Sequence, residues 1–117
     1  MKRVLVVDDD ILIQRLLIEE LEEDGYQVST ASNGNDALYL LTSEHEKFDL
    51  VILDLRMPKM NGLETIGFMI KLKCNLPVII FSAYGSYIND PLAKAANAYV
   101  VKSSDISELK KKIRELV

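Results

Sequence analysis

At 117 residues the chain fits one domain, 1–117, and no output domain is expected beside it. Apolar residues make up 49% and charged residues 27%, which allows a packed core and excludes a disordered chain. The net charge of -4, from 14 Lys and Arg against 18 Asp and Glu, argues against non-specific nucleic-acid binding, which needs a positive surface, and no direct nucleic-acid partner is expected.

Met1-Lys2-Arg3 runs straight into an apolar strand, Val4 to Val7, that Asp8 stops. That run is too short for a signal-peptide core, and no stretch approaches the roughly 20 residues of a membrane span. A soluble, cytoplasmic protein is expected. The single cysteine, Cys74, cannot form an internal disulfide, and its place near the end of an apolar stretch reads as a small core residue.

The first helix has Asp10 as N-cap, an apolar stripe of Ile13, Leu16, Leu17 and Leu21, and Asp24-Gly25 as its stop. A weaker second strand covers Gln27 to Ala31. The second helix begins near Asn33-Gly34-Asn35 and carries Ala37, Leu38 and Leu41. His45 follows the polar helix end at Ser43-Glu44 and is expected to be exposed, with no part in the chemistry.

Leu50 to Leu53 forms the third strand. Asn61 and Glu64 have the spacing of a capping box, opening a third helix with Leu63, Ile66 and Ile70 facing inward. Gly67 inside this helix costs about 1 kcal/mol relative to Ala, so close packing is expected there. Val78 to Phe81 is the fourth strand. From Ala83 to Ala96 the pattern is least regular, and Asn89-Asp90-Pro91 predicts a short fourth helix after a longer loop. Tyr99 to Val101 is the fifth strand. The last helix opens with Asp105 and Glu108 and buries Ile106, Leu109, Ile113 and Leu116, leaving Lys110-Lys111-Lys112 as a solvated face.

Strands one, three and four are continuously apolar, as in a parallel sheet covered by helices on both faces. Five such strands alternating with helices fit the flavodoxin-like, doubly wound α/β order 2-1-3-4-5. In such sheets, sites lie at the carboxyl ends of the strands. Asp8-Asp9-Asp10 ends strand one, Asp54 strand three, Ser82 strand four and Lys102 strand five. Carboxylates packed together raise each other's pKa unless a cation shares the site, and hard oxygen ligands favour Mg²⁺. A carboxylate can also attack phosphorus to give an acyl phosphate, a transfer that mainly needs positioning and neutralised charge.

Val6-Val7-Asp8-Asp9 and the stretch Asp54-Leu55-Arg56-Met57-Pro58-Lys59-Met60-Asn61-Gly62 resemble the two signature segments of response-regulator receiver domains. Ser82-Ala83 and Lys102 match the remaining two positions. The resemblance implies that Asp54 is the phosphoacceptor, and that Asp9, Asp54 and the Arg56 backbone carbonyl bind Mg²⁺, with Asp8 acting through water. It further implies that Ser82 and Lys102 hold phosphoryl oxygens and that Tyr99 is the switch aromatic. The output face would be the fourth helix, fifth strand and last helix. A sensor histidine kinase or histidine phosphotransfer protein would be the donor, and an unknown protein the target. Such a domain is a signalling switch that catalyses only transfer to, and hydrolysis from, its own aspartate.

Two positions depart from the family pattern. Ser103 follows Lys102 where the family usually has Pro after a cis bond, and Ala95 stands where it often has Gly. A cis bond without proline costs about 2.5–4 kcal/mol, so a trans Lys102–Ser103 bond is expected. Two other functions compete. Asp8-Asp9-Asp10 formally matches the Asp-x-Asp nucleophile motif of haloacid-dehalogenase phosphatases, with Asp8 as nucleophile, but that leaves Asp54 to Gly62 unexplained. A binding module that is never phosphorylated would not need Asp9, Asp54 and Lys102 together.

Overall fold

Strand and helix alternate as the apolar periods require. The computed structural model describes residues 1–43, 47–103 and 105–117, so His45 and Ser104 lie outside the described residues. The strands are β1 (Arg3–Val7), β2 (Gln27–Ala31), β3 (Leu50–Leu53), β4 (Val78–Ser82) and β5 (Ala98–Val101). The helices are α1 (Ile11–Glu23), α2 (Gly34–Thr42), α3 (Gly62–Lys71) and α4 (Ser107–Leu116). All strands are parallel, in the order β2-β1-β3-β4-β5. None of the described helices is long and apolar enough to cross a membrane.

Because side chains alternate along a strand, the sheet builds two separate cores. Leu5, Val7, Val51, Leu53 and Ile80 face α2 and α3, meeting Ala37, Ile66 and Met69. Val4, Val6, Ile52, Ile79 and Phe81 face α1 and α4, meeting Leu17, Leu21, Leu109 and Ile113. Burying each such side chain contributes about 1.5–3 kcal/mol.

The helix starts follow local chemistry. Asp10 caps α1 by accepting from the Leu12 N–H at 2.9 Å. Asn33 caps α2 through the Asp36 N–H at 2.8 Å. Asn61 and Glu64 form the full capping box of α3, at 2.9 and 3.2 Å. For α4 the capping acid is Asp105, which accepts from the Ser107 N–H at 2.9 Å. After α1 the chain turns at Gly25, whose φ of +93° suits glycine.

Four expectations are corrected. The fourth helix shrinks to one 3-10 turn, Ala93–Ala95, because Asn97 is drawn into the sheet. Its backbone N–H donates to the Val78 carbonyl at 2.8 Å, and its Oδ1 accepts from the Val78 N–H at 2.9 Å. The buried stripe of α1 is Gln14, Leu17 and Leu21, with Leu16 exposed. In α3 Met69 is buried and Ile70 is exposed. Gly67 is not pinched, since a Cβ there would come no nearer than 3.9 Å to Leu92. The tight glycines are Gly34 and Gly62. A Cβ on Gly62 would lie 2.2 Å from the Asp54 carbonyl oxygen, and one on Gly34 would lie 2.1 Å from Thr65 Oγ1.

Candidate functional site

Three residues predicted for the site are pinned by extensions of the sheet's own hydrogen bonding. Just past the strand ends, the Asp8 N–H donates to Ala31 O at 3.0 Å, Asp54 to Val7 O at 2.9 Å, and Lys102 to Ser82 O at 2.8 Å. The side chains of Asp8, Asp54 and Lys102 therefore leave one edge of the sheet from backbone held by hydrogen bonds to the neighbouring strands. Opposite Asp54, Gly62 donates its N–H to Leu55 O at 2.9 Å, and its missing Cβ lets α3 begin against that peptide.

The acids converge. Asp8, Asp9 and Asp54 each offer a carboxylate oxygen, and these atoms lie within 4.8 Å of one another. Asp8 and Asp54 are buried and Asp9 is exposed. Lys102 Nζ lies 2.7 Å from Asp8 Oδ2 and 3.5 Å from Asp54 Oδ2. Asp8 Oδ1 accepts from the Asp10 N–H at 2.9 Å, and Asp54 Oδ1 from the Leu55 N–H at 2.8 Å.

Burial, followed by the charge of Asp8, lifts the Asp54 carboxyl above its ordinary value against the pull of Lys102. Burial works to lower the Lys102 ammonium, but its hydrogen bond to Asp8 and the charges of Asp54 and Asp8 outweigh it and raise the group. One lysine thus faces two buried carboxylates, and an exposed third lies beside those acids. That donor set, all hard oxygens and short of positive charge, fits a small divalent cation.

The remaining predicted residues meet around Tyr84. Ser82 Oγ is buried at the end of β4 and accepts from the Tyr84 N–H at 3.2 Å. Tyr99, half-buried on β5, donates its hydroxyl to the Tyr84 carbonyl oxygen. The Arg56 guanidinium lies 4.5 Å from the centre of the Tyr84 ring. Among the described residues no peptide bond is cis, so Lys102–Ser103 is trans, and Lys102 nonetheless reaches both buried acids. Asp10 is occupied in capping α1, which removes the second acid that an Asp-x-Asp nucleophile motif would need.

Sequence reasoning missed Gln14. This buried residue of α1 donates from Nε2 to the Asp8 carbonyl oxygen at 2.6 Å and to Ser32 Oγ at 3.1 Å. Its signal was the spacing 14, 17, 21, which places it on the buried stripe. It missed Tyr84 as well, and nothing local to that residue marks it.

Residues 4–114 match the family of response regulator receiver domains. Sporulation initiation phosphotransferase F of Bacillus subtilis is 35% identical over 116 residues, which cover 97% of this chain and 92% of that protein. A probable transcriptional regulator, ycf27, of Cyanophora paradoxa is 38% identical over 118 residues. They cover 99% of this chain but 48% of the regulator, so the chain spans about half of that relative's length. Among solved structures, response regulator TrrA of Thermotoga maritima in complex with Mg²⁺-BeF aligns with a TM-score of 0.94 at 47% identity, over 100% of both chains. TrrA in complex with the histidine kinase ThkA aligns with a TM-score of 0.89 at 46% identity, covering 100% of this chain and 99% of that one.

Proposed function

Because this chain belongs to the response regulator receiver domain family, we propose that Asp54 is the residue through which it acts as a phosphoacceptor switch. The donor is the phosphohistidine of a sensor histidine kinase or of a histidine phosphotransfer protein. TrrA, 46% identical to this chain, was solved in complex with such a kinase. The observation that carries the reading is the gathering of Asp8, Asp9 and Asp54 within 4.8 Å beside the Lys102 ammonium.

In the transfer, an Asp54 carboxylate oxygen attacks phosphorus and the P–N bond to the donor imidazole breaks. The imidazole nitrogen leaves with the electron pair and takes up a proton, while Asp54 becomes an acyl phosphate. Lys102 moves from Asp8 to a phosphoryl oxygen, and the Ser82 hydroxyl donates to another. Asp9, Asp54 and the Arg56 carbonyl would hold Mg²⁺ directly, with Asp8 acting through water. When bound, the ion supplies positive charge beside the phosphoryl oxygens. Attack of water on phosphorus later restores the carboxylate and releases inorganic phosphate.

Drawing Ser82 towards the phosphoryl group disturbs its bond with the Tyr84 N–H, and the Tyr84 carbonyl is the acceptor for Tyr99. The local charge event thereby reaches β5 and the face it makes with the Ala93–Ala95 turn and α4; Val101 on β5, and Ile88 and Leu92 before the turn, are exposed for a protein target. The test is incubation with acetyl phosphate followed by mass spectrometry. One phosphoryl group should appear on wild type with Mg²⁺, and none on Asp54→Ala or in the presence of a chelator. Equal labelling of Asp54→Ala would refute the assignment.

A further inference from the structure

We propose that Gln14 is a positioning residue for the acidic pocket, acting through the peptide that joins Asp8 to Asp9. The inference rests on the metal reading given above. Gln14 is 5% exposed, and the two hydrogens of its amide serve two different loops. One goes to the Asp8 carbonyl oxygen at 2.6 Å and the other to Ser32 Oγ, after β2, at 3.1 Å. The Gln14 backbone N–H meanwhile donates to Asp10 O at 3.1 Å. One residue therefore holds both ends of the Asp8-Asp9-Asp10 turn.

That hold matters most for Asp9. The Asp8 side chain is fixed by Lys102 and by the Asp10 N–H, and Asp54 by the Leu55 N–H. The Asp9 side chain makes no hydrogen bond or ion pair among the described residues. Its direction follows from its backbone, and the carbonyl that Gln14 grips belongs to the peptide leading into it. Rotation of that peptide would swing the Asp9 carboxylate away from its two neighbours. A neutral amide suits this place, since it donates to the carbonyl without adding a charge that competes with a cation.

The experiment is a calorimetric titration of the unphosphorylated protein with Mg²⁺, beside thermal melts of the same variants without metal. Gln14→Met keeps the length of the side chain and removes both donors. It should weaken Mg²⁺ binding about tenfold, the loss typical of removing a group that orients a metal ligand. Lys110→Ala loosens α4 from α1 without touching the loop, and should lower the melting point while leaving the Mg²⁺ affinity alone. Ser32→Ala, which releases one of the two anchors, should give a smaller loss of affinity in the same direction and serves if Gln14→Met does not fold. Wild-type Mg²⁺ affinity in Gln14→Met, or in Ser32→Ala where that must stand in, overturns the inference if Asp9→Asn has lost binding. Wild-type affinity in Asp9→Asn as well sinks the metal reading, and this inference with it.

Discussion

The Lys102 ammonium is closer to Asp8, at 2.7 Å, than to Asp54, at 3.5 Å. The lysine therefore has its shorter contact with the acid that is not proposed to be phosphorylated. It also sits between two buried carboxylates, so its removal leaves both without that charge. Lys102→Met should lower the stability of the metal-free protein by about 3 kcal/mol, the range for breaking a partly solvated buried pair. Mg²⁺ should recover part of the loss. Urea denaturation with and without Mg²⁺ checks both, and equal losses in the two conditions would show that ion and lysine do not share the carboxylates.

The raised Asp54 carboxyl gives a pH dependence of definite sign. A carboxyl whose folded pKa lies above its unfolded value stabilises the fold relatively at low pH, where both states carry the proton. That contribution is lost as pH rises from the ordinary carboxylate value through the raised one. The difference between wild type and Asp54→Asn in chelator should therefore grow in favour of the variant across this window. At neutral pH, above the window, the variant should therefore melt higher than wild type. Thermal melts over a pH series measure it, and a variant that melts lower at neutral pH contradicts the burial argument.

Metal affinity should separate the two neighbouring acids. Asp9 is exposed and, among the described residues, carries no competing partner, whereas Asp8 is committed to Lys102 and to the Asp10 N–H. Asp9→Asn should cost more than tenfold in Mg²⁺ affinity and Asp8→Asn less, since loss of a direct ligand exceeds loss of one acting through water. Titration of the two variants decides it, and the reverse order exchanges their roles.

The two glycines of α3 should respond in opposite ways to alanine. At Gly62 the new Cβ would meet the Asp54 carbonyl oxygen at 2.2 Å, and backbone cannot step aside cheaply. Gly62→Ala should destabilise by about 1–3 kcal/mol and slow labelling of Asp54 by displacing that peptide. At Gly67 the nearest atom is Leu92 Cδ1 at 3.9 Å, so alanine gains helix propensity and should stabilise by up to about 1 kcal/mol. Denaturant midpoints for the pair test both signs.

Much of this was legible in the chain before any coordinates. The apolar runs of β1, β3 and β4 became strands, with ends shifted by a residue at most, because runs buried on both faces leave little ambiguity. The acids and Lys102 were legible because a doubly wound sheet collects whatever follows its strands. What failed depended on partners distant in sequence. The Asn89-Asp90-Pro91 signal is real, since Asp90 Oδ1 accepts from the Leu92 N–H at 2.9 Å. The helix it announces is cut short by Asn97, whose partner Val78 lies on another strand. A glycine inside a helix looks anomalous and one at its start does not, so the pattern points to Gly67 while the close approach falls at Gly62. Hydrophobicity alone points to Ile13 and Leu16, whereas the spacing to Leu17 and Leu21 points to the amide of Gln14.

The position of Lys102, after the last strand, sets an order of events during synthesis. A ribosome releases about 5–20 residues per second, so Asp8, Asp9 and Asp54 emerge seconds before the lysine that offsets them. β1 already has both neighbours, β2 and β3, in the part of the chain made first. The acidic edge can therefore assemble while its built-in cation is still missing, and in that interval Mg²⁺, bound as proposed above, would supply the charge. Stopped-flow refolding from urea should then be faster with Mg²⁺ than with chelator, with a larger effect in Lys102→Met. A refolding rate indifferent to Mg²⁺ would mean that the carboxylates come together only after the rate-limiting step, and the ion would then act on unfolding alone.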